Sequence, residues 1–152
     1  MEHPKLEFAF ELRIEVAPLP QVGMTSKGTR KIISITGGSF EGPGIKGTIV
    51  PGGYDWQLVR TDGIIEIEAR YVLQTDEGAM ITIVNTGLRH GAENVMQQLA
   101  AGENVDPSLY YFRCTPVFET SETKYNWLNK NIFIANGIRK PNVVVMEVWK
   151  VL

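Results

Sequence analysis

Along most of this chain, apolar and polar residues alternate with a period of two. Leu6, Phe8, Phe10, Leu12, Ile14 and Val16 interleave with Glu7, Glu11, Arg13 and Glu15. This is the pattern of a long strand with even-numbered residues inward and the charged ones in water. Pro18 and Pro20 end it, residues 21–30 read as a polar loop, and 31–36 form the next strand. Further on, Thr61-Asp62-Gly63 makes a tight turn, because Asp-Gly supplies the positive φ that hairpins favour. It joins strands at 54–60 and 64–75, and Asp76-Glu77-Gly78 then leads into 79–86. Three strands with turns this short form an antiparallel meander. The period changes over 92–101, where Val95, Met96, Leu99 and Ala100 recur at helical spacing ahead of Gly102. Asp106-Pro107 turns the chain into a strand at 110–119, and Thr120 or Ser121 caps a short helix over 123–130. Strands at 131–135 and 142–151 close the chain around Asn136-Gly137.

Between Gly37 and Gly53 lie seven of the chain's fifteen glycines. Short β-rich pieces there (39–40, 48–50 and 54–60) are separated by residues able to take positive φ, so bends or bulges follow in quick succession. That is how a sheet curls far enough to meet itself. The expectation is an all-β fold: one closed or nearly closed antiparallel β-barrel of about nine strands, with two short helices near its mouth or rim. Closure also removes the exposed edges that so much strand would present. A length of 152 residues suits a single domain over 1–152 with a proper core.

Composition narrows the function classes. Hydrophobic residues at 43%, charged residues at 21% and a net charge of −2 describe an ordinary soluble globule. Lys27, Arg30 and Lys31 form the only basic cluster, too short for a nucleic-acid footprint. The single cysteine, Cys114, allows no intrachain disulfide and fits a reducing cytoplasm. The start Met1-Glu2-His3-Pro4 has no apolar leader segment, and no apolar run approaches the ~20 residues that cross a bilayer, so no membrane partner is expected. Two histidines and one cysteine make no compact metal site, and no spaced acidic loop offers itself to a hard cation. The glycine stretch lacks the Lys-Ser/Thr end of a phosphate loop and no helix follows it. Neither metal nor cofactor is expected.

The block Gly38-x-Phe40-Glu41-Gly42-Pro43-Gly44-x-x-Gly47, followed by Pro51-Gly52-Gly53-x-Asp55-Trp56, resembles the family called domain of unknown function 3237. So do Arg60-x-Asp62-Gly63, Glu66-x-x-Ala69-Arg70-Tyr71, Tyr110-Tyr111-Phe112-Arg113 and Trp127-Leu128-Asn129. The resemblance covers nearly the whole chain, and the glycine and Asp-Trp block makes it specific. It implies a single-domain antiparallel β-barrel, found mostly in bacteria and fungi. It implies no established activity and no agreed catalytic set.

Candidate chemistry centres on Asp55. A carboxylate held beside the Trp56 indole inside a barrel would have a raised pKa and could serve as a general acid or base. The competing reading has Asp55 hydrogen-bonding the amides of its own turn. Glu66, Glu68 and Arg70 alternate with Ile65, Ile67, Ala69, Tyr71 and Leu73. Simple parity puts the charged row in water and Tyr71 inward, whereas a polar lumen would invert it. Arg113 faces the same alternative, because Tyr111, Arg113 and Thr115 alternate with Phe112, Cys114 and Phe118. Turned inward, Arg70 and Arg113 could hold a carboxylate or phosphate. Trp56, Tyr71, Tyr111 and Trp127 would then wall the pocket, or else serve as core. Cys114 reads as an inert buried thiol, and His90 as a surface residue of a loop over 87–91.

Small barrels either fill their interior or leave room for one small ligand. The first functional reading is therefore a binding protein for a small aromatic or acidic metabolite. Its alternative is a cofactor-independent isomerase, cyclase or lyase that uses Asp55 with Arg70 or Arg113. A third is an interaction module acting through its outer surface. An apolar outer face would call for a two-fold homodimer.

Overall fold

The computed structural model describes residues 1–152. In chain order the elements are β1 (Leu6–Pro18), β2 (Gly23–Thr25), β3 (Gly28–Gly42), β4 (Ile45–Val59), β5 (Ile65–Thr75), β6 (Met80–Gly91), α1 (Glu93–Ala100), β7 (Tyr110–Glu119), α2 (Trp127–Lys130), β8 (Phe133–Arg139) and β9 (Val143–Val151). All neighbouring strands pair antiparallel in the order β1-β9-β8-β7-β6-β5-β4-β3-β2, and β1 also pairs with β3. Eight strands thus form a closed barrel, and the short β2 adds to β3 as an extra strand. The expected all-β barrel with two short helices is what the chain forms.

The glycine-rich region bends differently from the expectation. β3 and β4 are continuous strands of 15 residues each, joined at Pro43-Gly44. Irregularities in register lie between Ile35 and Ser39 and between Val50 and Tyr54, so the bending occurs inside long strands. At Gly38, φ is +130° and an added Cβ would lie 2.0 Å from the Arg13 carbonyl oxygen. Glycine there lets β3 turn tightly onto β1.

Three further expectations shift. In β1 the register slips between Phe8 and Phe10, so Ala9 is buried while Phe8 turns outward onto Trp149, with ring centroids 5.4 Å apart. Asn136-Gly137 lies inside β8, not in the turn after it: a Cβ at Gly137 would come within 2.7 Å of the Phe112 ring, so the missing side chain makes room for that ring. The turn falls instead after Arg139, where the Lys140 amide donates to the Val143 carbonyl at 2.9 Å. The helical segment at 123–130 divides into a 3₁₀ turn at Thr123–Tyr125 and the single turn of α2.

The barrel has two unlike ends. Near the start of β1 and the end of β7, Phe10 packs edge-on against Phe40 and Phe118, and Phe118 against Phe133, with centroids 5.1–5.9 Å apart. Tyr125 and Leu128 are buried with them in one apolar core. At the other end, where β6 passes through α1 into β7, the inward row becomes polar.

Gly38→Ala should lower the unfolding free energy by about 2 kcal/mol or more, because the closing strands must part to admit the methyl group. Gly44→Ala, at φ +78° with nothing within 4 Å, should cost only about 1 kcal/mol. Urea denaturation of the two variants measures the difference, and equal losses would remove the role assigned to Gly38.

Candidate functional site

Strand parity builds the site. On β6 the inward row runs Ile81, Ile83, Asn85, Gly87, Arg89, and on β4 it reaches Asp55 and Gln57. The register Asp55↔Ala69↔Asn85 places neighbouring β4, β5 and β6 residues side by side on the same face. Asp55, Gln57, Ala69, Tyr71, Asn85 and Arg89 line a cavity of about 30 Å³ inside the barrel, backed by Phe112 and Met146. That is space for a water molecule or two.

Four fully buried side-chain polar atoms have no hydrogen-bond partner in this protein: Asp55 Oδ1, Tyr71 Oη, Asn85 Oδ1 and Arg89 Nε. All four belong to residues that line this cavity. Buried polar atoms are nearly always bonded, and groups without a protein partner mark strain, function or a site for a water or ion. The remaining contacts hold the groups in place. Gln57 Nε2 donates to Asp55 Oδ2 at 2.8 Å, and Asn85 Nδ2 points at Met146 Sδ at 3.3 Å. The Arg89 guanidinium lies 5.2 Å from the Phe112 ring centroid and forms no ion pair. At the strand ends, the Tyr110 hydroxyl accepts from the Arg139 amide at 3.0 Å.

Burial governs the titration of the cluster. It raises the Asp55 carboxyl above its ordinary value of 3.8, against the opposing pull of the Gln57 hydrogen bond and of the Arg89 and Arg139 charges. It pushes the Arg89 guanidinium down to about 10, helped by the nearby charge of Arg139. Arg139 is itself lowered, chiefly by burial, and the Tyr71 hydroxyl is pushed up by burial. Cys114 is buried and raised to about 12, so it is no thiolate nucleophile. A carboxyl whose pKa is raised by burial, beside a fixed cation, is better placed to hold and donate a proton than an ordinary carboxylate.

The other residues singled out in the sequence lie elsewhere. Only Asp55 and Tyr71 reach the cavity. Trp56 follows Asp55 and so faces out, 51% exposed, with Arg30 5.9 Å from its ring centroid. Arg70 is outside, its side chain 72% exposed and 4.0 Å from Glu68. Tyr111 is also outside, stacked on His90 at 4.8 Å and 5.6 Å from the exposed Arg113. Trp127 is half-buried at the aromatic end, 6.0 Å from Phe133. Asp55 therefore does not meet Arg70 or Arg113, because the simple parity holds on both strands and the arginine in the lumen is Arg89. His90 belongs to β6, not to a loop. The residues that the sequence reading missed are Gln57, Asn85, Arg89 and Arg139. Their signal was a polar residue replacing an apolar one in an otherwise apolar inward row.

Because folding raises the Asp55 pKa, the folded protein binds a proton that the unfolded chain releases. Its stabilising contribution is complete below pH 3.8 and is lost as pH rises through the folded value. Thermal unfolding of wild type and Asp55→Asn across this range should show wild type falling relative to the variant as pH increases. Parallel curves would contradict the assignment. Arg89→Met, which replaces an unpaired buried charge, should leave stability unchanged or raise it by about 1–3 kcal/mol.

Comparison with known proteins places this geometry. Residues 4–151 match the family described as proteins of unknown function (DUF3237). A UPF0311 protein from Rhodopseudomonas palustris (strain TIE-1) is 40% identical over 151 residues, covering 98% of this chain and 99% of its own. The crystal structure of a conserved protein of unknown function from Rhodopseudomonas palustris superposes with a TM-score of 0.97 at 36% identity, over the full length of both chains. A more distant relative is the hydroalkoxylation enzyme phnH of Penicillium herquei, 25% identical over 148 residues, which cover 97% of this chain and 84% of that protein. With a match over nearly its whole length, and with the closed barrel that the family's motifs imply, this chain belongs to the DUF3237 family.

Proposed function

We propose that the polar end of the lumen is the active site of a cofactor-independent enzyme that moves a proton on a small molecule, with Asp55 as the acid. One observation carries this reading: the four orphaned buried polar atoms all belong to residues around a single cavity, and a carboxyl whose pKa burial raises is among them. Structure alone gains nothing from such a cluster, since each unmet buried group costs about 1–3 kcal/mol.

The Penicillium herquei relative supports a reaction type. Hydroalkoxylation adds an O–H across a C=C bond and needs neither oxidant nor reductant. In this chain the Asp55 carboxyl would give its proton to one alkene carbon as the π bond opens. The oxygen would bond to the neighbouring carbon, and its proton would return to the Asp55 carboxylate. Atoms and charge balance, and the acid is regenerated. The neighbouring Arg89 guanidinium would stabilise the Asp55 carboxylate while its proton is on carbon. A cavity of about 30 Å³ admits only the reacting end of a substrate.

The test is incubation of the purified protein in D₂O with a panel of alkenols and alkenyl phenols, followed by mass spectrometry. Conversion should give a cyclic isomer carrying one carbon-bound deuterium. Asp55→Asn should lower the rate by about 10²- to 10⁴-fold. A variant that turns over at the wild-type rate would remove Asp55 from the chemistry. Binding in the lumen without conversion of any compound would favour a small-molecule carrier instead.

A further inference from the structure

We infer that the lumen takes its ligand as a small organic anion, with the charged oxygen seated on Arg89. This rests on the lumen being the ligand site, but not on proton transfer there. Arg89 is 6% exposed, forms no ion pair, and has its Nε buried without an acceptor. Its guanidinium lies against the face of Phe112, and Asp55 acts on it only at longer range than an ion pair. An isolated charge so deep in a protein is costly, and buried charges are ordinarily paired.

The lumen holds less negative than positive charge. Asp55 is the one carboxylate on the cavity wall, and its free Oδ1 finds no partner on Arg89. Even when ionised, that single carboxyl faces two guanidiniums, Arg89 and Arg139, and makes no ion pair with either. The other nearby guanidinium, Arg139, is engaged by the backbone carbonyls of Lys140 and Pro141 and adds a second positive charge to the same region. The site is therefore electropositive as well as polar.

A negatively charged oxygen would satisfy several of the orphaned atoms together. Arg89 Nε and the Tyr71 hydroxyl donate to it, and Asn85 Oδ1 can accept from a hydroxyl on the same ligand. Carboxylates, phenolates and enolates share this chemistry. In the addition reaction above, an oxygen that enters as its anion needs no base. Asp55 then supplies the single proton to carbon, the C–O bond forms as the π bond opens, and the carboxylate takes up a proton from water, releasing hydroxide to solvent.

Binding titrations with matched probes test the inference: benzoate against benzamide, and 4-nitrophenol against 4-nitroanisole, at neutral pH. In the wild type at least one acidic probe should bind about tenfold or more tightly than its neutral partner. Arg89→Met should bring that ratio to about one, Arg89→Lys should keep part of it, and Asp55→Asn should retain it. Preference for benzoate alone identifies a carboxylate site. Preference for 4-nitrophenol alone, with enhanced phenolate absorbance on binding, identifies a phenolate or enolate site. Equal affinity within both pairs, no binding of either acidic probe, or a preference that survives Arg89→Met would overturn the inference. An anion preference alongside turnover that ignores Asp55 would retain it and remove the proton-transfer reading. Turnover that depends on Asp55 without any anion preference would do the reverse.

Discussion

The pairing of β1 with β3 is the constraint on which the rest of the molecule depends. Its register, from Glu11↔Glu41 to Pro18↔Ile33, joins strands that would otherwise present open edges and turns a twisted sheet into a barrel. Two glycines admit that seam. A Cβ at Gly38 would meet the Arg13 carbonyl oxygen, and one at Gly42 would meet that of Ala9, each at 2.0 Å. Once the sheet is closed, every strand residue belongs either to the lumen or to the outer face. A period-two pattern that would only mark faces on an open sheet then sorts side chains into an enclosed volume.

That volume is used unevenly. At one end, four phenylalanines interlock edge to face, each pair adding about 0.5–1.5 kcal/mol beyond the area it buries. At the other, Asp55, Tyr71, Asn85 and Arg89 hold atoms with unmet hydrogen bonds. The packed end stabilises a frame whose polar end is left under-satisfied, the balance expected where function is set against stability. The same burial that makes the polar end costly also raises the Asp55 pKa and lowers that of Arg89, so stability and titration have one physical origin.

On the outer surface, Arg30 lies against Trp56, and His90 and Arg113 against Tyr111. These are aromatic residues that the sequence offered as walls of an internal pocket. The Asp55-Trp56 pair reads as one site on paper, but adjacent strand residues point to opposite faces, so the carboxylate enters the lumen while the indole leaves it. A strong motif told where the chain is special without telling which side of the sheet is special.

What the sequence by itself determined was local: the strand-forming alternation, the Asp-Gly turn, the helix before Gly102, and the inward parity of Ile67, Ala69, Tyr71 and Leu73. These follow from periodicity and turn chemistry, which act over a few residues. Arg89 remained hidden because Gly87 and the His90-Gly91 pair read as loop, although the row Ile81, Ile83, Asn85 runs straight on to it. Only the tertiary structure decided that Asp55, Asn85 and Arg89, which come from different strands, face one cavity. Strand order, register and closure bring distant parts of the chain together through long-range pairing, and no local spacing in the sequence encodes that meeting.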